Sequence, residues 1–167
     1  MHILIVGGTG MLSSLTEQLA RTHTISLIAR HASTSRLASL EYVFAYDADY
    51  SDDAHIREVL ACAIAQNGVI DQCILWIHSY AAHIVPMIAA HTRGAIYDII
   101  GSTTRDPRMV HRWDHPRYHR ILLGYVREGE RSRWLTDAEI CAGVQAGIEA
   151  DGSSVVGMIE PWDQRPS

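Results

Sequence analysis

Ile3-Leu4-Ile5-Val6 runs without a break into Gly7-Gly8-Thr9-Gly10-Met11-Leu12, and this junction restricts the chain more than any other segment. Four aliphatic side chains in a row suit a strand buried on both faces of a parallel sheet. Leu12, Leu15 and Leu19 then recur at helical spacing, which predicts a helix from Met11 to Arg21. Between the two, residues without Cβ atoms let the main chain turn tightly and let a pyrophosphate come close, while free N–H groups at the helix start attract its charge. Gly8 and Gly10 fit G-x-G-x-x-G, Gly7 and Gly10 fit G-x-x-G-x-x-G, and Ser13 stands at the third position of either pattern. Serine is small enough to keep the helix packed closely. Cofactor contacts are therefore expected from Gly7, Gly8, Thr9, Gly10, Met11 and Leu12, against the alternative of a glycine-rich turn that binds nothing.

The length of 167 residues, 47% hydrophobic, suits one domain with a sizeable core and leaves little room for a separate substrate domain. The expected division is a nucleotide-binding domain over 1–160 and a loosely held tail over 161–167. All 14 basic residues are arginine. Without lysine there is no Walker-type phosphate lysine, no Schiff-base lysine and no Tyr-x-x-x-Lys pair. A formal charge of −5, with no basic cluster interleaved with aromatics, argues against nucleic acid as a partner. Apolar stretches are short and interrupted by charge, and Met1 to Val6 is better explained as a strand than as a signal peptide, so no membrane partner and a cytoplasmic location are expected. Cys62, Cys73 and Cys141 are odd in number without C-x-x-C spacing and are expected to be buried apolar residues. His111, His115 and His119 have the spacing of metal ligands on a helix, but Pro116 interrupts that helix, so no metal site is expected.

Further strands are expected at Thr24–Ala29, Leu40–Tyr46, Gln72–Ile77, Ala95–Ile100, His119–Val126 and Ser154–Ile159. A short helical turn is expected around Ser35–Ser39. Helices are expected from a Ser51 cap through Gln66, over Ala81–His91 with a kink at Pro86, and over Thr136–Ala150 with Thr136 and Glu139 as a capping box. Ser102 to Arg117 is polar and rich in histidine and arginine, and is expected to be a loop facing the site. Such alternation implies right-handed crossovers and a mainly parallel sheet covered on both faces.

With these pieces in order, the sequence resembles the short-chain dehydrogenase/reductase superfamily, in its atypical, lysine-less form. The resemblance is carried by the Gly-Gly-Thr-Gly turn, Ala29-Arg30, Asp47-Ala48-Asp49, Gly101-Ser102 and Leu123-Gly124-Tyr125-Val126. It implies an α/β fold, a single doubly wound Rossmann domain with a mainly parallel sheet of about seven strands in the order 3-2-1-4-5-6-7. The usual Asn-Asn-Ala-Gly after the fourth strand is replaced by Trp76-Ile77-His78-Ser79-Tyr80, and the region of the family's catalytic Tyr-Lys pair is shortened.

An NAD-binding turn places an acidic residue about 20 positions on, at the end of the second strand. Here Arg30 stands there, and its guanidinium suits a 2′-phosphate, so NADP(H) is favoured over NAD(H). His31, Ser33, Ser35 and Arg36 are expected to add donors, unless the segment is simply a solvated basic loop. Asp49 resembles the aspartate that orients adenine, with strand termination or help to the Ser51 cap as the alternative. Ser79 is expected beside the cofactor.

For the chemistry, His78 and Tyr80 leave the fourth strand and Ser102 leaves the fifth, so all three converge at the strand ends. Ser102 resembles the family's substrate-orienting serine. Histidine titrates near neutrality and is the better proton donor of the three, unless it is a strand-end residue satisfied by its neighbours. Arg133 is a candidate for an anionic substrate, or else part of the entry to the last helix. Three functions follow: a small NADP(H)-dependent reductase of a carbonyl, imine or conjugated small molecule, a nucleotide-binding sensor or scaffold without turnover, or an interaction protein that uses only the fold. A homo-oligomer is open.

Overall fold

The computed structural model describes residues 1–167. In chain order the elements are β1 (His2–Val6), α1 (Ser13–Ala20), β2 (Thr24–Ala29), β3 (Val43–Asp47), α2 (Asp53–Asn67), β4 (Gln72–Leu75), α3 (Val85–Ala89), β5 (Ile96–Ile100), β6 (Tyr118–Leu123), β7 (Tyr125–Glu128), β8 (Arg131–Trp134), α4 (Asp137–Glu149) and β9 (Ser154–Val156). Seven strands form one sheet in the order β3-β2-β1-β4-β5-β6-β9, every pair parallel. Because β7 and β8 form a separate two-stranded sheet, β9 is the seventh strand of the main sheet, and the expected order 3-2-1-4-5-6-7 stands.

Alternation along β1 explains why both faces are covered. Ile3 and Ile5 join one apolar cluster with Leu12 of the glycine turn, Leu15 of α1, and Ile140 and Val144 of α4. Leu4 and Val6 join the other, with Ile56, Val59 and Leu60 of α2 and Val85 and Ile88 of α3. Each of these aliphatic side chains contributes about 1.5–3 kcal/mol when fully buried.

Several boundaries differ from the expectations. The first helix begins only at Ser13, because Gly10 to Leu12 remain in the turn. The α2 cap is Asp52, which accepts the His55 amide at 3.0 Å, while Ser51 turns its amide and hydroxyl onto Asp49. The segment around Pro86 is not a kinked helix. A 3-10 helix over Ser79–Ile84 leads into α3, and Pro86 lies in its first turn, where its missing N–H has no intrahelical partner to lose. The strand expected over His119–Val126 breaks after Leu123: at Gly124 an added Cβ would lie 2.0 Å from the Met158 carbonyl oxygen. Beyond it β7 and β8 form an unexpected hairpin, closed where Glu128 faces Arg131 and Gly129 takes φ +64°. Cys62 is exposed on α2, whereas Cys73 and Cys141 are buried as expected. The 161–167 segment forms a 3-10 turn at Trp162–Gln164, and the Tyr125 hydroxyl donates to the Pro161 carbonyl at 2.5 Å. No helix is long and apolar enough to cross a membrane.

Candidate active site

The sheet order reverses direction at the β1/β4 boundary, and the glycine turn leaves β1 there. Gly7 has φ +77°, and an added Cβ would lie 2.3 Å from the Trp76 carbonyl oxygen, so only glycine lets the β1 and β4 exits touch. The Thr16 hydroxyl donates to the Gly8 and Leu12 carbonyls at 3.2 and 3.0 Å, and the Cys141 thiol donates to the Met11 carbonyl at 3.1 Å, which ties the turn to α1 and α4. The amide N–H groups of residues 8–12 donate to no protein acceptor. A Cβ built at Gly10 meets no atom within 4 Å. Unspent donors, open space and the positive end of α1 are together the features that an anion site needs.

Two adjoining cavities follow the carboxyl ends of the strands. The smaller, about 240 Å³, is walled by Gly7, Thr9, Gly10, Met11, Arg30, His31 and Tyr50. The larger, about 700 Å³, reaches across β4 and β5 to Asp98, Gly101, Thr103, Arg105, His111 and Trp113. Arg30, Trp76, His78 and Tyr80 border both. The volume is of the size that small-ligand sites take, about 300–1,000 Å³.

Of the residues expected at the cofactor, Gly7, Thr9, Gly10, Met11, Arg30 and His31 border the smaller cavity, and Ser79 borders the larger. Gly8 and Leu12 are buried beneath the turn. Arg30 is exposed and forms no ion pair. The rest of the basic cluster does not gather around it. Arg36 is bound to Glu17 at 2.6 Å, and Ser33 donates its amide and hydroxyl to Asp47 at 2.8 and 2.5 Å. Ser35 donates its hydroxyl to the Ala32 carbonyl. Asp49 holds the Ser51 amide at 2.9 Å; this and the Ser51 hydroxyl hold its carboxyl below the usual range, with a smaller contribution from Arg30. Asp49 borders neither cavity, which fits the local turn role better than adenine contact.

The three candidates for chemistry separate. His78 and Tyr80 stand together, rings stacked with centroids 6.1 Å apart, and the Trp76 ring lies edge-on to His78 at 5.7 Å. Ser102 is instead buried, borders neither cavity, and its hydroxyl has no partner. Arg133 is held by Glu128 at 2.7 Å and Glu139 at 2.9 Å and is not free to take an anion. His111, His115 and His119 go to three places, against Trp113, onto the Arg117 amide and against Tyr97, and no group of three metal-binding side chains occurs.

Sequence reasoning missed Tyr50, Asp98, Arg105 and Trp113. Tyr50 is buried in the wall of the smaller cavity, and desolvation pushes its hydroxyl up to about 12. Asp98 is the lone charge in Ile96-Tyr97-Asp98-Ile99-Ile100, a signal the sequence did offer.

The resemblance of this arrangement to solved structures is architectural. A short-chain dehydrogenase/reductase from Serratia marcescens BCRC 10948 matches over 94% of both chains at 14% identity and a TM-score of 0.65. A 3-ketoacyl-ACP reductase from Sinorhizobium meliloti 1021 matches over 95% of this chain and 97% of its own, at 14% identity and 0.67. A short-chain dehydrogenase from Oenococcus oeni PSU-1 matches over 93% and 94%, at 14% identity and 0.62. The fold is that of the short-chain dehydrogenases/reductases. No protein-family model matches the chain, and no curated protein matches it in sequence.

Proposed function

We propose that this protein is an NADP(H)-dependent reductase of a small molecule carrying a C=O, C=N or conjugated double bond. The observation that carries this reading is the run of unspent amides at residues 9–11, bordering a cleft that also holds an unpaired arginine at the end of β2. The amides and the open space at Gly10 suit the pyrophosphate, and Arg30 with His31 suits a 2′-phosphate. When bound, a reduced nicotinamide supplies hydride. The chain would supply the rest: Trp76 and Tyr80 border the cleft, and His78, stacked on Tyr80 at its edge, would hand a proton to the reduced substrate. The shared fold with dehydrogenases and reductases supports the reaction class without naming a substrate.

Thermal denaturation of the wild type and Arg30→Ala with NADPH, with NADH and without ligand tests the cofactor. NADPH raises the melting temperature more than NADH, and the substitution removes that difference; equal shifts for the two nucleotides would sink the phosphate assignment. The missing lysine favours a second reading, a nucleotide-binding sensor without turnover. NADPH that binds but is oxidised by aldehydes, imines, quinones and flavins no faster than without protein decides for the sensor.

A further inference from the structure

Asp98 lies in the middle of the all-parallel sheet and is only 6% exposed. Its Oδ2 accepts the Tyr118 hydroxyl at 2.5 Å from the neighbouring strand. Its Oδ1 receives no protein donor, and the side chain forms part of the wall of the larger cavity. The nearby cations are engaged elsewhere. Arg120 donates to the Val110 carbonyl at 3.1 Å, while Arg112 donates to the Tyr118 carbonyl at 3.2 Å and lies 5.8 Å from the Tyr118 ring centre. Asp98 takes part in no ion pair. Asp98 Oδ1 is not among the fully buried side-chain atoms that lack a partner, so it opens to the cavity, where a donor can reach it.

We propose that the larger cavity binds a small molecule through a cationic nitrogen, an ammonium, amidinium or iminium group, whose N–H is received by Asp98 Oδ1. Trp76, Tyr80 and Trp113 border the same cavity, and aromatic rings favour a cation over a neutral group. Arg105 borders it too, without a carboxylate partner, and suits an anionic group at the other end of the ligand. For the reaction, this rests on the reductase reading and narrows its substrate to the C=N class; for binding, it stands without that reading.

The subsite has a pH signature. Burial pushes the Asp98 carboxyl up to about 6, with the Tyr118 hydrogen bond and Arg120 pulling the other way. The other titratable or charged groups facing the cavity or the pair are Arg30, His78, Tyr80, Arg105, His111, Arg112 and Arg120. A cation should therefore bind better above that value, where Asp98 is ionised, than below it.

The test titrates the full chain with benzamidine, benzyl alcohol and benzoate, following tryptophan fluorescence and melting temperature at about pH 5 and about pH 8. Wild type is expected to prefer benzamidine by about tenfold at the higher pH and to lose most of that preference at the lower. Asp98→Asn abolishes the preference at both, while Tyr118→Phe keeps it at the higher pH because the carboxylate remains. No preference in wild type, or one that persists in Asp98→Asn, overturns the subsite; the wild-type pH dependence serves should the variant fail to fold. NADPH shifts measured on the same samples separate the two ideas. A shift without benzamidine preference sinks the subsite alone, and preference without a shift sinks the reductase and leaves the subsite.

Discussion

Gly7 and Gly10 lie three positions apart in one turn and answer to different demands. Gly7 combines φ +77° with a contact that any Cβ would violate, so its role is in the fold. Gly7→Ala should cost at least about 2 kcal/mol of stability. Gly10 faces open space. Gly10→Ala should leave stability within about 1 kcal/mol while removing the NADPH-induced rise in melting temperature, since the methyl group enters the volume left for phosphate. Denaturation with and without NADPH checks both, and a Gly10→Ala protein that binds like wild type refutes the anion site. Asp98 makes the third residue-scale case. Its carboxyl has an ordinary value of 3.8 and is raised to about 6 by burial, so folding takes up a proton between those values. Its contribution is present below the lower value and lost as the pH rises through the upper one, on the order of 3 kcal/mol. Asp98→Asn should therefore melt higher than wild type at about pH 8, with the gap closing below about pH 4. An unchanged gap across that range would show that the carboxyl is not desolvated as its burial implies.

Among the elements, α4 was the most legible because its determinants are local. Thr136 Oγ1 accepts the Glu139 amide at 3.2 Å, and Glu139 Oε2 accepts the Thr136 amide at 2.9 Å. Arg133, bonded to Glu139, is the main cause holding that carboxyl down at about 2. Thr136→Ala should cost about 1 kcal/mol in urea denaturation, and Thr136→Ser should restore most of it. The central strands were legible for a similar reason, as aliphatic runs in a period that suits burial on both faces. The β7–β8 hairpin was not, because it depends on Gly124 meeting Met158, a contact 34 positions away in sequence, and its strands carry charge in place of apolar alternation. The helix around Pro86 was misread because proline marks a break in a helix interior but a start in its first turn. The same division holds for the site. The glycine turn and Arg30 could be read from spacing along one strand-turn-helix unit, whereas the competing partners of Ser33 and Arg36 appear only once β3 and α1 are in place. The Asp98–Tyr118 pair joins two strands whose register no local pattern specifies.

On the scale of the whole molecule, the two apolar clusters are not separable bodies. They lie on opposite faces of one sheet and share its strands residue by residue, with Ile3 and Ile5 in one cluster and Leu4 and Val6 in the other. Opening either face exposes strands that the other face needs, so the chain should unfold in one cooperative transition. The proposed nucleotide would span the ends of β1, β2 and β4, and its binding energy should therefore be felt throughout. Ligand at a hundredfold excess over its Kd adds about 2.7 kcal/mol, which for a domain of this size raises the melting temperature by about 5–10 °C. The four tryptophans report on different regions, Trp76 and Trp113 at the larger cavity, Trp134 in the hairpin and Trp162 near the C-terminus, while far-UV circular dichroism reports on the whole sheet and its helices. Melting curves from the two signals should coincide without NADPH and move together with it. A fluorescence transition that precedes the loss of secondary structure, and stays in place when nucleotide is added, would show that the cavity wall is held apart from the sheet, contrary to a site built on the strand ends themselves.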